Sequence, residues 1–167
     1  MKDLTRAKTD YNKAIEINPN LEETYINRGV LYYDLKELSK AIKDFKKAIE
    51  INPYLAEPYY NLGSIYLDEE EYSEAIIYCT KAIEINPNDD ATYMTRADAY
   101  LGIKVYSKAK MDYNMTIKIN PKYARAYCNR GVANYYLGFK ISACEDWRKA
   151  ISLGNAKAEE LLDDYCN

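Results

Sequence analysis

The sequence predicts an all-α protein built as a stack of antiparallel helix pairs, and three observations lead to that prediction. The string Ile-Asn-Pro occurs four times at a constant interval of 34 residues, starting at Ile17, Ile51, Ile85 and Ile119. A fixed period of this length is typical of stacked supersecondary units. Between these strings the apolar residues recur at helical spacing rather than in strand-like alternation. Six glycines and five prolines in 167 residues are also few for an all-β or loop-rich chain.

Each 34-residue unit contains two helical patterns joined by a short turn. In the first unit, residues 24–35 carry large apolar side chains around Gly29, and residues 38–51 carry them at i, i+3, i+4 and i+7. Proline ends the helix that precedes it, so Asn-Pro closes the second helix of each unit. Small residues such as Gly29 and Ala41 are expected where the two helices approach closely. Within one domain, residues 1–167, the predicted full units are 22–55, 56–89, 90–123 and 124–154.

The C-terminal end is predicted to form a capping helix over residues 155–167. Gly154 and Asn155 replace the Ile-Asn-Pro string there, and they suit a helix C-cap and a helix N-cap respectively. Apolar residues then recur at helical spacing from Ala158 to Tyr165, with charged residues between them. A polar outer face of this kind is what the last element of a repeat array needs.

The N-terminal end, in contrast, matches only half a unit. Residues 4–19 have the pattern of a second helix with no first helix before it. We therefore expect the chain to be a piece of a longer protein. The stripe formed by Leu4, Ala7 and Tyr11 is the candidate self-association face, because an unpaired apolar stripe commonly marks a contact site.

The repeated positions resemble the tetratricopeptide repeat family along the whole chain. Counted from the start of each unit, the family's small residue at position eight and its alanine at position twenty are both present. Those residues are Gly29, Gly63, Ala97 and Gly131, and Ala41, Ala75, Ala109 and Ala143. The resemblance implies a right-handed superhelical solenoid of four full repeats, with a preceding half repeat and a C-terminal capping helix. The C-terminal end also resembles that of certain bacterial members of the family.

Composition excludes several classes of function. Histidine is absent, which excludes histidine general bases, histidine-containing triads and most zinc sites. No glycine-rich phosphate loop occurs, so we expect no catalysis, no metal and no cofactor. The formal net charge of −3 argues against general nucleic-acid binding. No stretch approaches the ~20 apolar residues of a membrane-spanning helix. Cytoplasmic and exported locations are both compatible with the sequence.

The four cysteines leave two interpretations open. They are Cys79, Cys128, Cys144 and Cys166, and no C-x-x-C spacing occurs among them. Cys144 and Cys166 lie on two helices that are predicted to pack together, so they could form a disulfide. The alternative is that all four are reduced thiols, mostly buried on helices.

In this family the first helices of the repeats line a concave groove, which implies a binding surface here. The candidate groove residues are Asn27, Tyr33, Tyr60, Asn61, Ser64, Met94, Asp98, Arg125, Asn129, Tyr135 and Tyr136. Three of them, Asn27, Asn61 and Asn129, share the sixth position of their repeats. A side-chain amide can donate to and accept from a peptide backbone, and the row is similar to the asparagine ladder of O-GlcNAc transferase. The alternative is that these asparagines only cap or solvate their helices.

The sequence favours a non-catalytic scaffold that binds an extended peptide or partner segment in this groove. Chaperone-binding members of the family hold acidic tails with lysine–asparagine pairs, which no repeat supplies here. The lining is mostly acidic, so a neutral or basic partner fits better. The alternative function is a structural or oligomerisation segment that contacts a larger protein, or a second copy in a homo-oligomer, through its open N-terminal helix face. A third interpretation is the accessory array of a longer enzyme.

Overall fold

The computed structural model describes residues 2–166 and confirms the predicted all-α class. The described residues form ten helices and no strand. The helices are α1 (Lys2–Ile17), α2 (Glu22–Asp34), α3 (Leu38–Ile51), α4 (Ala56–Asp68), α5 (Tyr72–Ile85), α6 (Asp90–Gly102), α7 (Tyr106–Ile119), α8 (Ala124–Tyr136), α9 (Lys140–Ser152) and α10 (Lys157–Cys166). The predicted limits of the domain at residues 1 and 167 lie outside the described range.

The helices pair as hairpins and the hairpins stack in chain order, which makes the molecule a solenoid. The pairs are α2–α3, α4–α5, α6–α7 and α8–α9, and each second helix packs against the first helix of the next pair. The first helices α2, α4, α6 and α8 also contact one another in sequence, so they form one continuous inner row. Helix α1 packs on α2 at one end, and α10 packs on α9 at the other.

Every hairpin turns at the fifteenth position of its repeat, where the backbone enters the left-handed region. In the first hairpin the N–H of Glu37 donates to the carbonyl of Tyr32 at 2.8 Å, and that of Lys36 donates to Tyr33 at 2.9 Å. This pair of bonds is the Schellman motif, which satisfies the last carbonyls of a helix. The residues with positive φ at these four turns are Lys36, Glu70, Lys104 and Gly138.

The Ile-Asn-Pro string has a second role besides ending the helix. After α3, the Oδ1 atom of Asn52 accepts from the backbone N–H of Tyr54 at 3.1 Å, and proline stands between them. An Asx turn of this kind is a preferred conformation of asparagine. The same bond occurs at Asn18, Asn86 and Asn120, between 3.1 and 3.2 Å. The string therefore fixes the link between hairpins as well as helix length.

Small residues at position eight allow the two helices of a hairpin to approach closely. A Cβ added to Gly29 would lie 2.7 Å from the ring of Phe45, and one added to Gly131 would lie 2.5 Å from the Trp147 indole nitrogen. Neither distance is compatible with ordinary van der Waals contact. The alanines at position twenty are fully buried, including Ala41 and Ala75. Close packing thus explains why these two positions stay small along the chain.

A half-buried arginine joins neighbouring hairpins at three of the junctions. Arg96 on α6 makes two hydrogen bonds to Asp112, at 2.7 and 2.8 Å, and donates to Thr80 of the preceding hairpin at 3.0 Å. Two-bond arginine–carboxylate pairs are both stronger and more directional than single bonds. The equivalent groups are Arg28 with Asp44 and Asn12, and Arg130 with Asp146 and Asn114. Since Asn12 belongs to α1, that helix occupies the place of a preceding second helix.

The C-terminal helix is attached by capping bonds, aromatic contacts and a disulfide. Gly154 has φ of +90°, and Asn155 Oδ1 accepts from the N–H of Ala158 at 3.2 Å. The Tyr165 ring lies against Trp147, with 5.9 Å between ring centroids. The structure joins Cys144 on α9 to Cys166 on α10. Of the two interpretations that the sequence left open, the structure therefore contains the bonded pair.

Candidate functional site

Two cavities lie along the inner row of helices, one toward each end of the groove. The N-terminal cavity has a volume of about 220 Å³ and is lined by Val30, Tyr33, Asp34, Phe45, Asn61 and Ser64. The C-terminal cavity measures about 590 Å³, and its polar lining includes Asp68, Glu70, Asp98, Arg125, Asn129 and Lys157. Most of the predicted groove residues thus line one of two adjoining cavities on the same row of helices.

Polar groups in the N-terminal half of the groove lack partners. The side-chain nitrogen Nδ2 of Asn61 is buried without a hydrogen bond. Within the described residues, the side chains of Asn27 and Asp34 also have no hydrogen bond or ion pair, and both are exposed. A buried amide without an acceptor costs about 1–3 kcal/mol relative to a satisfied one. This half of the groove therefore has hydrogen-bonding capacity that the protein itself does not use.

Tyr33 is the exception in this half, because its hydroxyl is engaged. It donates to Asp68 Oδ2 at 2.5 Å. The bond to the Asp68 carboxylate, together with partial burial, raises the pKa of Tyr33 to about 12. The hydroxyl consequently keeps its proton at physiological pH and holds the Asp68 carboxylate in place. Tyr60 is half-buried and close enough to contribute to the same shift in pKa.

In the C-terminal half, the polar groups satisfy one another around Asp98. This carboxylate accepts from the Tyr113 hydroxyl at 2.7 Å, from Asn129 Nδ2 at 2.8 Å and from Arg125. Tyr113 is fully buried, and its burial raises the pKa of its hydroxyl. Asn129 and Arg125 are therefore held by the protein's own carboxylate.

Corresponding positions explain why the two halves differ. Asn129 meets the ninth residue of the preceding repeat, Asp98, and that residue meets Tyr113 at position twenty-four. Two junctions closer to the N-terminus, the sixth position is Asn61 and the other two are Val30 and Phe45. Neither of those side chains can hydrogen-bond. The same asparagine is therefore satisfied at one junction and left without a partner at the other.

The structure corrects the prediction for Met94. Its side chain is only 2% exposed and packs in a core cluster with Tyr113 and Ala126. The fifth position of the first helix is likewise buried at Ile26 and Cys128, because it packs into the core. Met94 is thus a core residue and does not line the groove.

The two predicted tyrosines of α8 lie in aromatic contacts. The exposed Tyr136 ring stacks on Tyr106 with 4.7 Å between centroids, and Tyr135 lies 4.6 Å from Tyr165 of α10. Tyr135 is therefore part of the contact that holds the capping helix. Tyr136 remains 60% exposed.

The predicted self-association face is only partly open. Leu4 is 43% exposed, whereas Ala7 and Tyr11 are half-buried. On its other side, α1 contacts α2, where Lys8 lies 5.2 Å from the centre of the Tyr32 ring. Ile17, at the end of the helix, is 85% exposed.

Neither metal chemistry nor reactive thiols are indicated by the described residues. Among them, no three Cys, Asp or Glu side chains come together as a metal site. The two free cysteines, Cys79 and Cys128, are buried. Burial raises the pKa of Cys79 to about 12, which keeps its thiol protonated and unreactive. Between residues 2 and 166, no helix combines the length and apolar character needed to cross a membrane.

Sequence reasoning missed the half-buried arginines, and it placed Asp98 in the groove without predicting its bonds to Tyr113 and Asn129. A signal for the arginines was present, because Arg28, Arg96 and Arg130 each precede an aspartate by 16 residues. The second repeat has Leu62 and Tyr78 instead, which hides the period. Phe45, which lines the N-terminal cavity, looked like an ordinary core aromatic.

Comparison with known families identifies the repeats. The family model described as "Tetratricopeptide repeat" matches residues 22–55 and 56–89, and the model described as "TPR repeat" matches residues 1–36. Together the matches span residues 1–89, which is more than half of the chain. No curated protein matches the chain in sequence.

Solved structures of similar fold match almost the whole length of this chain. The crystal structure of MamA is 30% identical, with a TM-score of 0.85, and the match covers 95% of this chain and 92% of that one. YrrB, titled a TPR protein with an unusual peptide-binding site, is 24% identical with a TM-score of 0.84, over 97% and 84% of the two chains. PilF of Pseudomonas aeruginosa is 19% identical with a TM-score of 0.83, over 94% and 72%. The last two show similarity of fold alone.

Proposed function

The chain belongs to the tetratricopeptide repeat family of helical protein-interaction scaffolds, and from this premise we propose that it binds an extended partner segment in its concave groove. The observation that carries this proposal is the unpartnered amide of Asn61 beside an open cavity. An extended peptide has a free carbonyl at every residue, so it can supply the acceptor that the protein lacks.

The N-terminal half of the groove is the primary contact in this proposal. Asn27 and Asn61 stand one repeat apart on α2 and α4, and neither has an acceptor within the described residues. Asn129 contributes less, because a peptide would have to displace Asp98 from it. The predicted three-asparagine ladder is thereby narrowed to two asparagines, with Asn129 having a structural role.

Charge favours a neutral or basic segment. Asp34, Asp68, Asp98 and Glu70 lie on the two cavities against the cations Arg125 and Lys157, and Arg125 is paired with Asp98, so the lining carries a net negative charge. Like charges repel along a groove, so an acidic segment is disfavoured. The protein acts by binding alone in this proposal, with no reaction of its own.

A peptide-library selection tests the groove. The wild type is compared with an Asn27→Ala/Asn61→Ala/Asn129→Ala variant, and with an Asn20→Ala/Asn88→Ala control whose exposed side chains lie in turns outside the groove. Peptides enriched by the wild type and the control, but not by the triple variant, support groove binding. Equal enrichment on all three proteins would contradict it, and urea unfolding checks that each variant is folded.

A second candidate function uses the open face of α1, and the exposure of Leu4 and Ile17 favours it. In that case the chain assembles with another copy or with a larger protein through this face. Sedimentation of Leu4→Glu is compared with Ile77→Glu, which puts the same charge on an exposed residue of α5. Concentration-dependent association that only Leu4→Glu removes supports the candidate, and a monomer at all concentrations contradicts self-assembly.

A further inference from the structure

The N-terminal cavity has an apolar interior and a polar rim. Its apolar lining consists of Phe45, which is only 1% exposed, and of the more exposed Val30 and Tyr33. The Phe45 ring reaches this place because Gly29 has no Cβ to obstruct it. Asp34 and Asn61 supply polar groups at the same cavity. A volume of about 220 Å³ admits one long side chain, since a single water occupies about 30 Å³ of liquid.

Lysine and arginine are the side chains that match an apolar interior with a polar rim. Both bury an aliphatic stem along apolar surface while their charged end stays at a polar edge. Asp34 is the only charged residue that lines the cavity, and no ion pair to it occurs within the described residues. Asp68 lies close by, because the Tyr33 hydroxyl is bonded to it at 2.5 Å. The rim therefore offers negative charge where the stem would end.

We infer that this cavity is a specificity subsite for one lysine or arginine side chain of the bound segment. The stem lies between Val30, Phe45 and Tyr33, and the cationic end pairs with Asp34. A rotation of the Asn61 side chain presents its Nδ2 atom to a backbone carbonyl of the same segment. This inference rests on the proposed function and adds a choice of side chain to it.

The protein already places a cation beside the cavity. Lys36, in the turn after α2, has its Nζ atom 5.2 Å from the centre of the Tyr33 ring. Aromatic rings attract cations over their faces, so the surroundings of Tyr33 accept positive charge. Lys36 also competes with an incoming cation, because like charges repel.

Other side chains fit the cavity less well. A glutamate would bring a second carboxylate beside Asp34 and Asp68. A leucine would fill the interior but would leave the Asp34 carboxylate partly desolvated without a partner, which is costly. The cavity thus selects by charge at its rim and by length in its interior.

Binding of three defined probes tests the subsite. The probes are fluorescein-labelled octapeptides in which serine alternates with lysine, glutamine or glutamate, and anisotropy gives their affinities. The wild type is expected to bind the lysine probe about fivefold more tightly than the glutamine probe, the value of one partly exposed ion pair. In Asp34→Asn this ratio falls toward one. The control Glu145→Gln removes the same charge from an exposed position on α9, and it keeps the ratio.

Two glycine substitutions provide an independent comparison. Lys36 and Glu70 occupy the same turn position of successive hairpins, each with φ of 60°. Glycine suits that backbone, so neither Lys36→Gly nor Glu70→Gly is expected to lower the melting temperature. Lys36→Gly removes the competing cation and raises the lysine-to-glutamine ratio about twofold. Glu70→Gly lies on the other cavity and changes the ratio less.

The outcomes separate the subsite from the groove. If the wild type binds lysine and glutamine probes equally, the subsite is wrong and the groove proposal stands. An equal fall of the ratio in Asp34→Asn and Glu145→Gln would show general charge attraction and would also overturn the subsite. If no probe binds and the library selection also fails, the groove proposal fails and the subsite fails with it.

Discussion

The two halves of the groove share one repeat pattern but differ in their chemistry. In the C-terminal half, Asp98 accepts from Tyr113, Asn129 and Arg125. In the N-terminal half, the amide of Asn61 faces positions held by Val30 and Phe45 and has no partner. The Asn129 amide of one half is satisfied within the protein, and the Asn61 amide of the other half is left for a ligand.

The comparison shows that a repeated residue does not imply a repeated role. Asn61 and Asn129 occupy the same position of their helices, yet the ninth residue of the preceding repeat decides what each can do. An aspartate there turns the asparagine into part of the fold. A valine there leaves the asparagine available for binding.

The largest expected effect is on the stability of the C-terminal half. Asp98→Ala leaves the Tyr113 hydroxyl and the Asn129 amide without their acceptor, which should lower the free energy of unfolding by about 3 kcal/mol. Val30→Ala, at the corresponding position, removes a partly exposed side chain and should cost less than about 1 kcal/mol. Urea unfolding of both variants measures the difference. Equal losses would contradict the internally satisfied network.

A double variant sharpens the same comparison. Asp98→Val with Tyr113→Phe introduces the apolar pair of the first hairpin into the third. Replacing both partners costs less free energy of unfolding than leaving one of them without its hydrogen bond. The double variant should therefore be more stable than the sum of the single changes predicts. The expected coupling is about 1–2 kcal/mol. Strict additivity in urea unfolding would show that the two side chains do not depend on each other.

The converse exchange should weaken ligand binding. Val30→Asp with Phe45→Tyr supplies Asn61 with the partners that Asn129 has, so its amide no longer needs an acceptor from a peptide. Affinity for a groove-selected peptide should fall about tenfold, which is 1.4 kcal/mol. Fluorescence anisotropy measures this loss, and circular dichroism checks the fold. Unchanged affinity would mean that Asn61 does not contact the peptide.

The smallest expected effect is the titration of Tyr33. Its pKa is raised to about 12 from 10.0, so the folded state holds the phenolic proton more tightly than the unfolded state. The stabilisation is complete below pH 10 and is lost as pH rises from 10 toward 12. Ultraviolet titration near 295 nm should show one fewer late-titrating tyrosine in Asp68→Asn than in the wild type. An identical titration curve in that variant would contradict the Tyr33–Asp68 bond.

The fold was predictable because its determinants are local and periodic. The Ile-Asn-Pro strings at 34-residue intervals fix both helix length and the links between hairpins. The small residues at positions eight and twenty mark the close approaches. Each of these signals lies within one repeat and recurs in the others, so a single sequence is enough to show them.

The site was predictable only in part, because its chemistry depends on contacts between repeats. The sequence identified Asn61 and Asn129 as equivalent, and only the structure shows that Asp98 reaches one of them. Met94 was assigned to the groove because its position follows the pattern, but packing against Ala126 buries it. Contacts 31 residues apart leave no periodic trace when the residues involved change from repeat to repeat.

The most direct test of the account is a nuclear magnetic resonance titration with a groove-selected peptide. Chemical shifts of the side-chain amides and of the backbone are followed in the isotope-labelled wild type. We expect the signals of the Asn61 amide and of the backbone of α2 and α4 to shift, while the signal of the Asn129 amide keeps its position. Shifts confined to the Leu4 face of α1, or centred on Asn129 and α10, would contradict it.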